Sequence, residues 1–199
     1  MSLLEDAVSG APHARFVALV TQRAELGQAR YGERHLTGPS LLDALVTECA
    51  DAFNYAVMET ARLHPLQAPA IQGPLEALTS RLGVFGRLVC DVAVDLGADP
   101  VDFTALCRAQ LGHVGARQYG NDAYLTRQNL PEALEELADA RVMVDLELDR
   151  RATTGEGDLP TDHALVALGV VIEVMGAAVA SVHDHIAHAP RSTAAALAA

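Results

Sequence analysis

Along most of the chain apolar residues recur at intervals of three and four, the spacing of one face of an α-helix. Between Pro12 and Arg30 the positions Phe16, Leu19, Val20, Arg23 and Leu26 share a side, and Gly32 stands where a C-terminal cap belongs. A polar turn over residues 33–39 leads to Ser40, a candidate N-cap. A second helix then extends to about Leu63, before His64-Pro65. The prolines between 65 and 74 mark a linker. The pattern places a third helix from about Leu75 to Leu96, ending at Gly97-Ala98-Asp99-Pro100.

The same punctuation then returns. Phe103 and Leu106 match Phe16 and Leu19, Tyr119-Gly120 matches Tyr31-Gly32, and Leu125-Thr126 matches Leu36-Thr37. In this register Glu48 pairs with Glu136, Asp51 with Asp139 and Glu59 with Glu147, while Leu168-Gly169-Val170 matches Leu82-Gly83-Val84. The expectation is a single all-α domain over 1–199, a six-helix bundle from a tandem three-helix duplication with pseudo-two-fold symmetry. Repeat one spans about 12–97, repeat two about 101–188, and residues 189–199 form a flexible tail. Two three-helix units can bury against each other the apolar faces that neither covers alone. Arg87 aligns with Glu173, both in apolar surroundings, and a buried charge needs a partner. The alignment therefore predicts an ion pair between them near the axis.

Composition agrees with helices: half the residues are apolar, 4 % are aromatic and Trp is absent. The formal charge is −12, and every basic residue is Arg. That charge repels phosphate backbones and anionic headgroups, so duplex nucleic acid and membrane surfaces are poor partners. The apolar run from Ala164 to Val182 contains Glu173 and reads as a buried bundle helix rather than a membrane span. Cys49, Cys90 and Cys107 lack C-x-x-C spacing and lie in apolar stretches, as reduced, buried thiols do. With no signal-peptide pattern in the first residues, a cytoplasmic location is expected.

Residues three apart project from one helix face, so Glu48 and Asp51 stand side by side, as do Glu136 and Asp139. Adjacent carboxylates repel unless a cation lies between them, and Mg²⁺ (or Mn²⁺) prefers such oxygen ligands while leaving sites for water and phosphate. Glu132 extends the second row by a turn and Glu135 widens it. The solvated-face reading weakens because the pair recurs at matched positions, and because Glu48-Cys49-Ala50-Asp51-Ala52-Phe53 sets the acids among small and apolar residues.

Ala29-Arg30-Tyr31-Gly32, a polar turn, and then a helix carrying Glu48, Asp51, Ala52 and Tyr55 resemble the all-α nucleoside triphosphate pyrophosphohydrolases, the MazG-like superfamily. Tyr119-Gly120 with Glu135, Glu136, Asp139 and Ala140 repeats the resemblance in the second copy. It implies helix-borne carboxylates that hold Mg²⁺, and a nucleoside triphosphate, deoxynucleotides included, cleaved to monophosphate and pyrophosphate. Glu48, Asp51, Glu136 and Asp139 would be metal ligands, and Glu135 and Glu136 the catalytic residues, with Glu135 a candidate base. The sequence departs from the family in lacking an E-x-x-E pair on the preceding helix, where only Glu25 and Asp102 are acidic. Either the two E-x-x-D pairs face each other across the pseudo-two-fold, or Asp91 and Asp95 complete the first site; Glu132 and Glu135 are the extra acids of the second copy.

Arg30, Arg34, Arg117 and Arg127 flank the Tyr-Gly turns and could contact triphosphate oxygens, and Tyr31 and Tyr119 could stack on a base. For Arg30 and Arg117, capping of a helix C-terminus is the competing role. His183, Asp184, His185 and His188 could bind Zn²⁺ or simply close a helix C-terminus. The rival expectation is a non-catalytic module on a degenerate version of the same scaffold, sensing nucleotide or binding protein. A ferritin-like di-metal bundle would need E-x-x-H pairs, which are absent. A duplicated chain either replaces a homodimer or pairs again.

Overall fold

The computed structural model describes residues 10–31, 34–66, 68–114 and 127–189, and among them the chain is all-helical, without strands. Six α-helices follow one another: α1 (Ala11–Tyr31), α2 (Leu42–Leu63), α3 (Pro69–Asp95), α4 (Phe103–Val114), α5 (Leu130–Thr154) and α6 (Leu159–Ala187). Short 3-10 turns cover Arg34–Thr37 and His64–Leu66.

The helix ends follow local chemistry. Asp158 caps α6 by accepting from the Thr161 amide, and Gly155 closes α5 in the left-handed region at φ 74°, which a side chain would disfavour. Helix α3 starts at Pro69, well before the Leu75 that the prolines suggested, because proline is tolerated in a first turn. Pro74 inside it has no N–H for the Ala70 carbonyl. The His185 imidazole of α6 supplies that donor at 3.0 Å.

Helices α2 and α5 pack against each other at the centre, with α3 beside α2, α6 beside α5, and α3 touching α6. The remaining two cross over: α1 lies on α5 and α6, and α4 on α2 and α3. Two close approaches anchor them. The Phe16 ring of α1 lies where a Cβ on Gly176 of α6 would stand, and the Phe103 ring of α4 lies where one on Gly86 of α3 would. Leu45, Tyr55, Leu75, Leu137, Leu165 and Ile172 form a continuous core between the layers. Helix α6 is long and apolar enough to cross a membrane, yet 67 % of its most apolar stretch is buried inside the bundle.

Two buried glutamates tie the central helices together. Glu59, near the end of α2, accepts from Arg62 (2.9 and 2.5 Å) and from the Asn129 amide and side chain (2.9 and 3.1 Å) at the start of α5. Glu147 of α5 accepts from Arg150 (2.9 and 2.8 Å) and from the Leu41 amide (3.0 Å) and Ser40 hydroxyl (3.3 Å) at the start of α2. Burial alone would raise the Glu147 carboxyl, but these donors outweigh it and hold it below its ordinary range. Ser40 is thus a partner of Glu147 as well as a weak acceptor for the Leu42 amide.

The expected pair between Arg87 and Glu173 does not form. Glu173 is held by Arg141 at 2.9 Å with His13 at 3.7 Å, whereas Arg87 is exposed on α3. Arg141 reaches Glu173 from the neighbouring α5 across Gly169, which leaves room for the guanidinium.

Candidate functional site

The packing of α2 on α5 carries Glu48 and Asp51 of one helix to Glu136 and Asp139 of the other. Glu48 and Glu136 share a hydrogen bond between their carboxyl groups. Burial, then this hydrogen bond and the charges of Glu48, Asp51 and Asp139, push Glu136 up to about 9. Glu48 is raised too, chiefly by burial, while the bond from Glu136 opposes the rise. At neutral pH the pair therefore holds one proton between its two carboxyl groups. Asp51 is lifted to about 6 by burial and by the Glu48 charge, and its Oδ1 is buried with no hydrogen-bond partner.

The cation nearest these acids is a side chain. Arg23 reaches from α1 to grip Asp139 with two nitrogens, Nε lying 2.6 Å from Oδ1 and Nη2 meeting Oδ2, and its Nη1 is 3.5 Å from Glu135. The hydrogen bond to Asp139 raises the Arg23 pKa, so the guanidinium stays charged. Nothing in the sequence names Arg23 as a functional residue. The signal is there all the same: an arginine on the otherwise apolar stripe of α1, in a chain whose acidic pairs need a counter-charge.

Arg23, Glu48 and Asp139 line a cavity of about 620 Å³. A neighbouring cavity of about 960 Å³ shares its walls at Gly27, Ala29, Val142, Met143 and Leu146, and runs on to Pro39, Asp145 and Asp149. Together they form a groove between α1 and α5, apolar along its length and acidic at both ends.

The other predicted residues are distributed more widely. Glu132 is half-buried in the first turn of α5, and Glu135 is exposed and engaged by Arg23. Asp91 and Asp95 line a separate pocket of about 550 Å³ with Asp102, whose walls include neither Glu48 nor Asp51. Arg127 is exposed, and its carbonyl accepts from the Asn129 side chain. Arg30 and Tyr31 close α1 and Arg34 opens the following 3-10 turn, but their side chains lie outside the described residues, as do Arg117 and Tyr119 entirely.

The histidine cluster has structural partners. Asp184 binds Arg15 at 2.6 Å, His183 lies 3.3 Å from Gln128, His185 serves Ala70, and His188 Nδ1 lies 2.7 Å from the Asp184 carbonyl. Cys49, Cys90 and Cys107 are free and buried, and burial raises all three thiols, Cys107 to about 12, so none is a ready nucleophile.

Among the described residues no three Asp, Glu, His or Cys side chains stand ready to hold one ion. Mg²⁺ needs less, since it is commonly bound through one or two carboxylates with the remaining positions left to water and phosphate. Two carboxyl groups sharing a proton, beside an unpartnered carboxylate oxygen of Asp51, fit such an open site. Asp139, gripped by Arg23, is already engaged. Comparison with protein-family models, with curated proteins and with solved structures finds no match to this chain.

Proposed function

We propose that the carboxylate cluster where α2 meets α5, beside the groove between α1 and α5, is the site of a Mg²⁺-dependent nucleoside triphosphate pyrophosphohydrolase. The observation that carries this reading is the convergence of both E-x-x-D pairs on one place, with Glu48 and Glu136 close enough to share a proton. Glu48 and Glu136 would hold the ion in place of that proton, with Asp51 beside them. When bound, Mg²⁺ neutralises phosphate oxygens and lowers the pKa of the attacking water.

The reaction is balanced by one water. Its oxygen bonds to the α-phosphorus, the bond to the bridging oxygen breaks, pyrophosphate leaves, and a carboxylate takes the proton. Asp51, raised to about 6, has the pKa for that last role, whereas Glu135 is exposed and paired with Arg23. The Arg23 guanidinium orients Asp139 and lines the groove beside Glu48. Val142, Met143 and Leu146 offer apolar walls to a base and sugar.

The paired contacts support descent from a duplicated three-helix unit with pseudo-two-fold symmetry. Glu59 with Arg62 answers Glu147 with Arg150, and the Leu41 amide on Glu147 answers the Asn129 amide on Glu59. The resemblance of the Tyr-Gly turns and E-x-x-D helices to MazG-like enzymes supports the chemistry. A cytoplasmic setting, where triphosphates are abundant, goes with the same reading.

A second reading, a non-catalytic nucleotide-sensing or protein-binding module, is favoured by Arg23 itself. A guanidinium on Asp139 neutralises the cluster without metal. Incubating the protein with nucleoside and deoxynucleoside triphosphates plus Mg²⁺ or Mn²⁺, and assaying pyrophosphate, separates the two. Release that falls at least about 100-fold in Glu48→Gln and Glu136→Gln supports the enzyme. Absence of release with every nucleotide, or release unchanged in both variants, sinks it.

A further inference from the structure

A second cavity, away from the carboxylates, has the opposite chemistry. It holds about 350 Å³ between α2, α3 and α4, and its walls include Phe53, Phe103, Gly83, Thr104, Arg87 and Arg108. Phe53 and Phe103 meet edge to face, with ring centroids 5.9 Å apart, and Gly83 comes close to the Phe53 ring. A side chain at Gly83 would press on that ring, its Cβ 3.1 Å away.

The two arginines share that cavity without an acid beside them; Arg81, the other described arginine without an ion pair, does not line it. Arg15, Arg23, Arg62, Arg141, Arg150 and Arg151 each have an acid within ion-pair distance. Arg87 and Arg108 are exposed, face the same cavity, and have no ion pair or side-chain hydrogen bond among the described residues. In a chain of net charge −12 an acid could easily have stood beside them. At the matched place on α5 and α6 one does: Gly169 faces Arg141, and Arg141 is closed off by Glu173. On α2 and α3 the equivalent positions are Phe53 and Arg87, so an aromatic ring replaces the first cation and an unneutralised cation replaces the acid.

We propose that this pocket binds a small organic anion, with its phosphate or carboxylate group between Arg87 and Arg108 and a flat apolar body against Phe53 and Phe103. Guanidinium pairs with either anion through parallel hydrogen bonds, and it does so at lower cost next to an apolar wall than in open water. The volume lies in the range of small-molecule sites. The buried Asn54 side chain donates to the Cys107 carbonyl at 3.0 Å and so fixes α4 on α2, which keeps the pocket formed without ligand.

Titration calorimetry of the full chain with phenyl phosphate, benzoate and inorganic phosphate tests the proposal, and the first two probes distinguish the anion types. Phenyl phosphate or benzoate should bind with a Kd of about 1 mM or tighter, and inorganic phosphate at least about tenfold more weakly. Arg87→Gln and Arg108→Gln lie on the surface and should fold normally by circular dichroism. Each should weaken the aromatic anion at least about fivefold. Neither aromatic anion binding, binding unchanged in the folded double variant, or inorganic phosphate binding equally well would each overturn it. The carboxylate cleft takes no part in this measurement, so its outcome is independent of any hydrolase activity.

Discussion

Because Glu136 keeps its proton up to about pH 9 in the folded chain but releases it from an ordinary 4.5 when unfolded, folding takes up a proton between those values. The native state binds more protons than the unfolded one across that window, so stability falls as pH rises through it. Asp51 adds to the fall between 3.8 and about 6. Glu147 works the other way: its carboxyl is lowered, so its contribution is present above 4.5 and is lost as pH drops below. Glu136→Gln, which fixes the neutral form, should flatten the alkaline limb. It should stabilise the protein by about 1–2 kcal/mol at pH 8, roughly 3–6 °C in Tm, measured by thermal denaturation at several pH values. Arg23→Gln should do the reverse at neutral pH, costing about 1–2 kcal/mol by leaving Asp139 half-buried without its donor. These residues were unequally legible. Glu48 and Asp51 could be read as a site because three-residue spacing fixes a shared face. Arg23 was marked only as a charge on an apolar stripe, because its partner Asp139 is distant in sequence and only packing joins them.

At the scale of elements, each central helix begins on a glutamate from the other, and Phe16 and Phe103 act as pegs in glycine sockets. Glu59→Ala leaves the Arg62 guanidinium and the Asn129 amide without their acceptor in a dry setting. It should cost about 3 kcal/mol in chemical denaturation, where an exposed glutamate such as Glu76 changed to Ala should cost under about 0.5 kcal/mol. Gly176→Ala should cost about 1–3 kcal/mol, since the new methyl falls on the Phe16 ring. The alignment pairs Glu59 with Glu147 without revealing what they hold, because an N-terminal amide of another helix carries no mark in the sequence. The start of α3 was hidden for a similar reason. Prolines at 69 and 74 look like a linker until His185 is found supplying the donor that Pro74 lacks.

For the whole molecule, helical periodicity made the all-α class and the helix order readable, and apolar α6 could be assigned to the interior from Glu173 and its small residues. Which helix covers which was not readable, because periodicity gives each helix a face but not a neighbour. The charge of −12 also bears on the whole: added salt should screen self-repulsion, so Tm should rise modestly between low and physiological ionic strength.

The crossing of α1 onto α5 and α6, and of α4 onto α2 and α3, bears on how the chain reaches this shape. Each half lends its first helix to the other, and the contact of Phe16 with Gly176 forms only after the two ends of the chain have met, which slows folding relative to an up-and-down bundle of the same size. A break in the backbone between Gly97 and Val101 should therefore leave two fragments that are each largely unstructured, yet assemble on mixing into one helical complex. Circular dichroism of the separate and mixed fragments reads this directly: a helical signal of the mixture well above the sum of its parts is the expected result, and two independently helical fragments would be the contrary one.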